Sequence, residues 1–256
     1  MEKLEALKKI REKLASGKFS LGSWMQISNG SVAEIMGDSG FDWIAIDMEH
    51  GAFSIEKLPG VFRALELGNC LPLVRLAQQS AKDCKQVLDC GAAGVIVPNI
   101  KNSQQLEQIR SAIAWPPSGT RGVGFSRANL YGKRFTPYTK EAQVPFLVAM
   151  IEDFSAIENL PEILSVEGLD AVLIGPYDLS ASIGVIGDFD DPQFLAAMER
   201  IKLECNRNSV PAGIHVVKND LSVLQDKIGE GYQFIAYGID SVFLSESCGF
   251  PKLIFD

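Results

Sequence analysis

Apolar residues cluster into eight short runs along the chain: LGSWMQI (21–27), WIAID (43–47), LPLVRL (71–76), GVIVPNI (94–100), FLVAMIE (146–152), AVLIG (171–175), PAGIHVV (211–217) and FIAYGI (234–239). They are near-continuous rather than alternating, which is how strands buried on both faces read. The stretches between most of them carry apolar positions at helical spacing, as in IEKLPGVFRALELG, AKDCKQVLDCG, SQQLEQIRSAI, SAIENLPEIL, DPQFLAAMERIKLECNRN and KNDLSVLQDKIGEG. Strand and helix alternating in this way predict a parallel sheet covered by helices, most simply a (β/α)8 TIM barrel of the α/β class. An open doubly wound sheet is the competing arrangement; no GxGxxG follows the first run, and the chain has room for eight units. Leu4, Leu7, Ile10 and Leu14 predict an amphipathic N-terminal helix ahead of the barrel. The stretch 115–143, with PPSGTRGVGFSRANLYGKRF, is too long for a plain connection and is expected to be a functional loop or lid.

With 256 residues, 46% of them hydrophobic, the chain can bury one large core, so a single domain over 1–256 is expected. A formal charge of −8 and the absence of a dense Lys/Arg stripe argue against a nucleic-acid partner. The longest apolar run, 146–151, is far short of the roughly 20 residues of a spanning helix, and the charged N-terminus lacks the apolar centre of a signal peptide. No membrane partner and a cytoplasmic location are therefore expected. The five cysteines (Cys70, Cys84, Cys90, Cys205, Cys248) have no CxxC spacing, which fits reduced and mostly buried thiols.

In a barrel, groups at the C-terminal strand ends face one mouth. The second run ends in Asp47, Glu49 and His50; the third carries Arg75; the fifth ends in Glu152 and Asp153; the sixth leads into GPYDLS with Asp178. Glu152 and Asp178, at neighbouring strand ends, suit a hard divalent cation, Mg²⁺ or Mn²⁺, that keeps open positions; the alternative is that both acids cap helices. Arg75 in an apolar run needs an anion, either a ligand or a structural carboxylate. His50 beside two acids could serve as a general base oriented by Asp47, or be structural. His215, near the end of the seventh run, has no acid close in sequence and is not among the candidates.

FDWIAIDMEHG, PLVR, LDCGAAGVIVPNI, PPSGTRGVG, MIED and LIGPYDLSASIG, in this order over 18–240, resemble the HpcH/HpaI aldolase family of the phosphoenolpyruvate/pyruvate barrel superfamily. The resemblance implies a class II aldolase that reversibly cleaves a 4-hydroxy-2-oxoacid to pyruvate and an aldehyde with a divalent metal, Mg²⁺, Mn²⁺ or Co²⁺. It implies metal carboxylates at Glu152 and Asp178, an arginine for the keto oxygen at Arg75, and a proton-handling pair at Asp47 and His50. It also implies an acid beside the metal waters at Glu49, amides for the pyruvate carboxylate at Tyr177 and Asp178, and, at Asp89, a residue reaching a neighbouring subunit's site. The family assembly is a homohexamer, a trimer of dimers with an exchanged final helix, and the apolar tail FLSESCGFPKLIF is expected to be buried between subunits. Met150 stands where sugar-acid members often have glutamine, and Tyr177 where alanine is frequent; both bear on the substrate. A malyl-CoA or citramalyl-CoA lyase on the same barrel, and a non-catalytic 2-oxoacid-binding protein, are the alternatives. No lysine at a strand end suits a Schiff base, which disfavours the class I route.

Overall fold

A computed structural model describes residues 3–249. Eight parallel strands close into a barrel in chain order: β1 (Ser20–Met25), β2 (Trp43–Asp47), β3 (Leu71–Arg75), β4 (Gly94–Val97), β5 (Phe146–Ile151), β6 (Ala171–Ile174), β7 (Ala212–Val216) and β8 (Phe234–Ile239), with β8 pairing back onto β1. Several apolar runs outlast their strands for local reasons. Pro98 follows β4 and cannot donate to a ladder, and Gly175 after β6 already caps the next helix.

Helices return the chain between strands. They are α1 (Lys3–Ala15), α2 (Gly30–Asp38), α3 (Leu58–Leu67), α4 (Ala81–Asp89), α5 (Ser103–Ile113), α6 (Phe135–Glu141), α7 (Leu160–Leu164), α8 (Pro176–Ile183), α9 (Pro192–Arg207), α10 (Leu221–Gly229) and α11 (Asp240–Ser247). Many starts are written in the sequence: the side chains of Asn29, Ser80, Asn102, Asp191 and Asp220 accept from backbone amides in the first turns of α2, α4, α5, α9 and α10. The start of α8 lacks such a cap.

Alternation along each strand divides the core in two. Ile44, Ile46, Val74, Val95, Leu147, Ile174, Ile214 and Ile235 face the helices. Trp24, Trp43, Leu73, Ile96, Phe146, Val148, Met150, Leu173 and Phe234 fill the barrel interior, where Trp43 stacks on Phe234 with centroids 4.2 Å apart. Gly22 on β1 makes room for that stack, because a Cβ there would fall inside the Trp43 ring. The interior is a packed solid, and its C-terminal layer is polar.

Helix α1 closes the N-terminal end of the barrel. Its buried face is Ala6, Leu7, Ile10 and Leu14, whereas Leu4, expected on that face, lies at its exposed edge. Arg11 fixes it there, donating to Asp170 through Nε (2.6 Å) and Nη2 (2.9 Å), while the same carboxylate accepts from the Leu147 amide.

The segment 115–143 corrects the expectation of a lid. It joins α5 to β5, so it lies at the N-terminal end of the barrel, and it contains α6, a 3-10 turn at Arg127–Asn129 and a small core of Trp115, Tyr138 and Ala142. It makes its own structure on the face opposite the mouth. Of the apolar tail, Leu244 is exposed and Phe243 packs at Gly238; residues 250–256 lie outside the described residues. All five cysteines are free, and burial pushes the thiols of Cys70, Cys84 and Cys205 up to about 12, so they are inert packing groups. Among the described residues no helix is long and apolar enough to cross a membrane.

Candidate active site

The alternation that fills the interior with Trp, Phe and Leu places Asp47 and Arg75 in its last layer. They end β2 and β3 and are paired in register. The Arg75 guanidinium is buried, with Nη2 2.6 Å from Glu49 Oε2 and 2.9 Å from Glu152 Oε1, and Nη1 3.7 Å from Asp47 Oδ2. It also lies 6.0 Å from the Trp24 ring. Arg75 thus gathers carboxylates from the ends of β2 and β5, and its Nε, buried in the same place, has no partner among the described residues.

Asp47 is saturated. Oδ2 accepts from Trp24 Nε1 (3.0 Å) and Gln26 Nε2 (3.1 Å), and Oδ1 accepts from the amides of Glu49 (3.0 Å) and His50 (3.1 Å). Burial works to raise its pKa, but the His50 amide, Trp24, Arg75 and Gln26 outweigh burial and hold it below the ordinary value. The expected orientation of the His50 ring by Asp47 takes another form: the carboxylate grips the His50 backbone and fixes the turn, while His50 itself is exposed at the rim.

Glu152 and Asp153 are neighbours in sequence with opposite fates. Glu152 turns inward, accepting from Arg75 Nη2 through Oε1 and from the Asn99 amide, at 2.7 Å, through Oε2. Burial, reinforced by Asp178 and Glu49, raises its pKa against the pull of Arg75 and that amide. Asp153 turns outward, accepts from Lys101 at 2.7 Å and from Ser155, and is drawn down to about 2 by those bonds; it caps a turn. Gly175 lets the chain pass close beside Glu152, since a Cβ there would stand 3.0 Å from Oε1.

Asp178 is the third residue of α8, whose first ladder bond runs from the Leu179 amide to the Gly175 carbonyl. The amides of Tyr177 and Asp178 precede the ladder and have no intrahelical acceptor. They form an anion-binding end beside the carboxylates. Met150, one pleat below Glu152, is 3% exposed and forms part of the floor. Asp89 stands apart, at the C-terminal end of α4 and so at the opposite end of the barrel, where burial raises its pKa while Arg121 and Lys85 oppose the rise.

The family model for HpcH/HpaI aldolase/citrate lyase matches residues 20–246. The chain belongs to this family. It is 33% identical to a hydroxypyruvate/pyruvate aldolase of Roseobacter denitrificans over 93% of both chains. It is 34% identical to the 2-keto-3-deoxy-L-rhamnonate aldolase of Escherichia coli K12, over 93% of this chain and 89% of that one. The crystal structure of a family member from Burkholderia cenocepacia J2315 superposes with a TM-score of 0.87 at 26% identity, covering 93% of this chain and 95% of the other. The protein is an aldolase, a carbon–carbon lyase.

The donor set of this aldolase fits the divalent ion that the family implies. Asp47, Glu49, Glu152 and Asp178 outnumber the one guanidinium among them, and the mutual repulsion felt by Glu152 is what a dication would relieve. Each oxygen of Glu152 keeps a second lone pair beside the bond it already makes. Among the described residues no cluster of three or more His, Cys, Asp or Glu is disposed to hold a metal; a hard cation at a catalytic site can take its remaining ligands from water and substrate oxygens. Sequence reasoning missed Trp24, Gln26 and Asn99, which hold Asp47 and Glu152 in place. A tryptophan in an apolar run reads as core, and an amide donor carries no sequence signal at all. His215, set aside at that stage, lies with its ring 4.8 Å from that of Trp24.

Proposed function

We propose that this aldolase reversibly cleaves a 4-hydroxy-2-oxoacid into pyruvate and an aldehyde, with a divalent cation held by Glu152 and Asp178. The observation that carries the reading is the buried Arg75 guanidinium set among Asp47, Glu49 and Glu152, beside the open amides of α8. That combination offers one fixed positive charge for a developing oxyanion and one end for a carboxylate, the two features of a 2-oxoacid. When bound, the cation supplies Lewis acidity toward the keto oxygen.

The chain's own residues do the rest. The amides of Tyr177 and Asp178 receive the pyruvate carboxylate. Arg75 stabilises the enolate oxygen, its orientation set in advance by the carboxylates it touches and by Trp24. His50 moves the proton, taking it from the 4-hydroxyl in cleavage and returning one to the methyl carbon of pyruvate. Asp47 acts by holding the turn that presents His50 and Glu49. Glu49 would accept hydrogen bonds from water on a bound cation, and Met150 limits the depth of the pocket. Asp89, remote from this mouth, serves a neighbouring subunit in a homo-oligomer, a hexamer arranged as a trimer of dimers.

The test is metal-dependent proton exchange at the pyruvate methyl in D₂O, followed by NMR, together with a retro-aldol screen of 4-hydroxy-2-oxoacids. Chelator should abolish exchange, and Mg²⁺, Mn²⁺ or Co²⁺ should restore it. Exchange that persists in excess chelator defeats the reading.

A further inference from the structure

We propose that His215 selects the aldehyde: its Nδ1 accepts a hydrogen bond from a hydroxyl on the carbon next to the aldehyde carbonyl, so the preferred partner of pyruvate is an α-hydroxyaldehyde. The inference rests on the pyruvate reading above and adds the chemistry of the other half of the substrate.

Geometry fixes the tautomer. His215 Nε2 lies 3.2 Å from the Gly238 carbonyl oxygen, which can only accept, so Nε2 carries the proton. In a neutral ring Nδ1 is then an acceptor, and among the described residues nothing bonds to it. The ring stays neutral at working pH, because burial together with the nearby Arg75 charge brings its pKa down to about 4 against the contrary effects of Gly238 and Asp47. Nδ1 therefore offers a lone pair and no proton.

Position makes that lone pair useful. His215 is an inward-facing residue of β7, since Ala212, Ile214 and Val216 face the helices. Its ring packs at 4.8 Å on Trp24, the same indole that lies 6.0 Å from the Arg75 guanidinium and donates to Asp47. His215 also borders a cleft of about 490 Å³ that runs from Tyr177 and Phe189 at the mouth to Met198 and Tyr232 on the helix side of β7. It thus stands one ring away from the arginine assigned to the keto oxygen and on the side of Tyr177, toward which the proposal directs the rest of the substrate. There, a hydroxyl gains a partner, a methyl group gains nothing, and a carboxylate meets an acceptor instead of a donor. A site that hydrogen-bonds a substrate hydroxyl discriminates against analogues lacking it, because its own polar atom is left unpaired.

The experiment uses the full chain with Mg²⁺ or Mn²⁺ and pyruvate as donor, and compares kcat/KM for glycolaldehyde with that for acetaldehyde, which differ by one hydroxyl. The wild type should favour glycolaldehyde, and in His215→Leu the ratio should fall on the order of 10- to 100-fold, the usual consequence of losing one hydrogen bond in a partly buried site. His215→Gln, whose amide oxygen can accept, should recover part of the preference. His215→Phe keeps a ring against Trp24 without the lone pair and gives the same readout if the leucine variant does not accumulate. An unchanged glycolaldehyde-to-acetaldehyde ratio in folded His215→Leu or His215→Phe overturns the proposal. Absence of pyruvate methyl exchange in the wild type, a reaction that involves no aldehyde, overturns the reading beneath it.

Discussion

Replacing Arg75 by lysine keeps the charge and removes the fork, and the structure allows the consequence to be sized. Nη2 alone reaches both Glu49, at 2.6 Å, and Glu152, at 2.9 Å, while Nη1 faces Asp47. A hydrogen bond to a charged group contributes about 1.5–3 kcal/mol, and a lysine ammonium, a single point on a flexible stem, cannot span the three carboxylates that the fixed fork reaches. The folded state should therefore lose about 2–3 kcal/mol, a drop of roughly 5–10 °C in melting temperature for a chain of this length. The loss in turnover is larger in relative effect. A donor fixed in advance toward a developing oxyanion is worth roughly 10²- to 10³-fold, and in Arg75→Lys both pyruvate methyl exchange and retro-aldol cleavage should fall by that factor while the far-ultraviolet circular dichroism is preserved. Arg75→Met should cost about 3–5 kcal/mol in stability, because it strands buried carboxylates, and should abolish exchange. Folded Arg75→Lys exchanging pyruvate protons at the wild-type rate would refute the argument, for the guanidinium would then be only a structural counter-ion for Glu152.

His50→Ala should leave pyruvate binding by calorimetry nearly intact while exchange and cleavage fall by something on the order of 10²- to 10⁴-fold, the range for a lost general base; wild-type rates would make His50 structural. Gly22→Ala should destabilise the barrel by about 3 kcal/mol or more in urea unfolding, since the new Cβ falls within the Trp43 ring, whereas Gly30→Ala, with open space around it, should change stability by less than about 1 kcal/mol. His215 has a folded-state pKa below its unfolded one, so the unfolded chain binds the extra proton and stability falls as pH drops from about 6.5 to about 4. A shift of that size corresponds to at most roughly 3 kcal/mol, and urea midpoints measured across this window should decline less steeply in His215→Leu than in the wild type; parallel curves would show that the ring is not held neutral.

The fold could be read because the strands of a parallel barrel are buried on both faces and announce themselves as runs. WIAID and FIAYGI coincide with β2 and β8, and SQQLEQIRSAI with α5. Strand-end acids and Arg75 were legible for the same reason: a charge interrupting such a run stands out. What could not be read is which way each polar group turns. Glu152 and Asp153 look alike in sequence, yet the pleat sends one inward to Arg75 and the other outward to Lys101. Asp47 next to His50 suggested a side-chain dyad, but over so short a turn the carboxylate reaches backbone amides first. The 115–143 segment could be read as a long functional loop or lid but not located, because length alone does not tell which end of a barrel a loop closes. His215 was passed over because the partners that give it meaning, Trp24 and Gly238, come from β1 and β8.

Closure of β8 onto β1 has a consequence for the order in which the chain can be made. β1 has no complete set of neighbours until residues 234–239 exist, and the amides of Gln26 and Ile27 must wait for Asp240, their acceptor at 2.8 and 2.9 Å. Arg11 likewise waits for Asp170. During synthesis the amino-terminal fifth of the protein is therefore a sheet edge with unpaired backbone groups and an uncovered apolar face, the kind of surface that recruits other chains. Loops of such length close slowly. A nonsense mutation between residues 217 and 233 removes the strand that closes the barrel and leaves β1 and β7 as permanent edges. Such a fragment should aggregate rather than persist as a smaller, partly active enzyme.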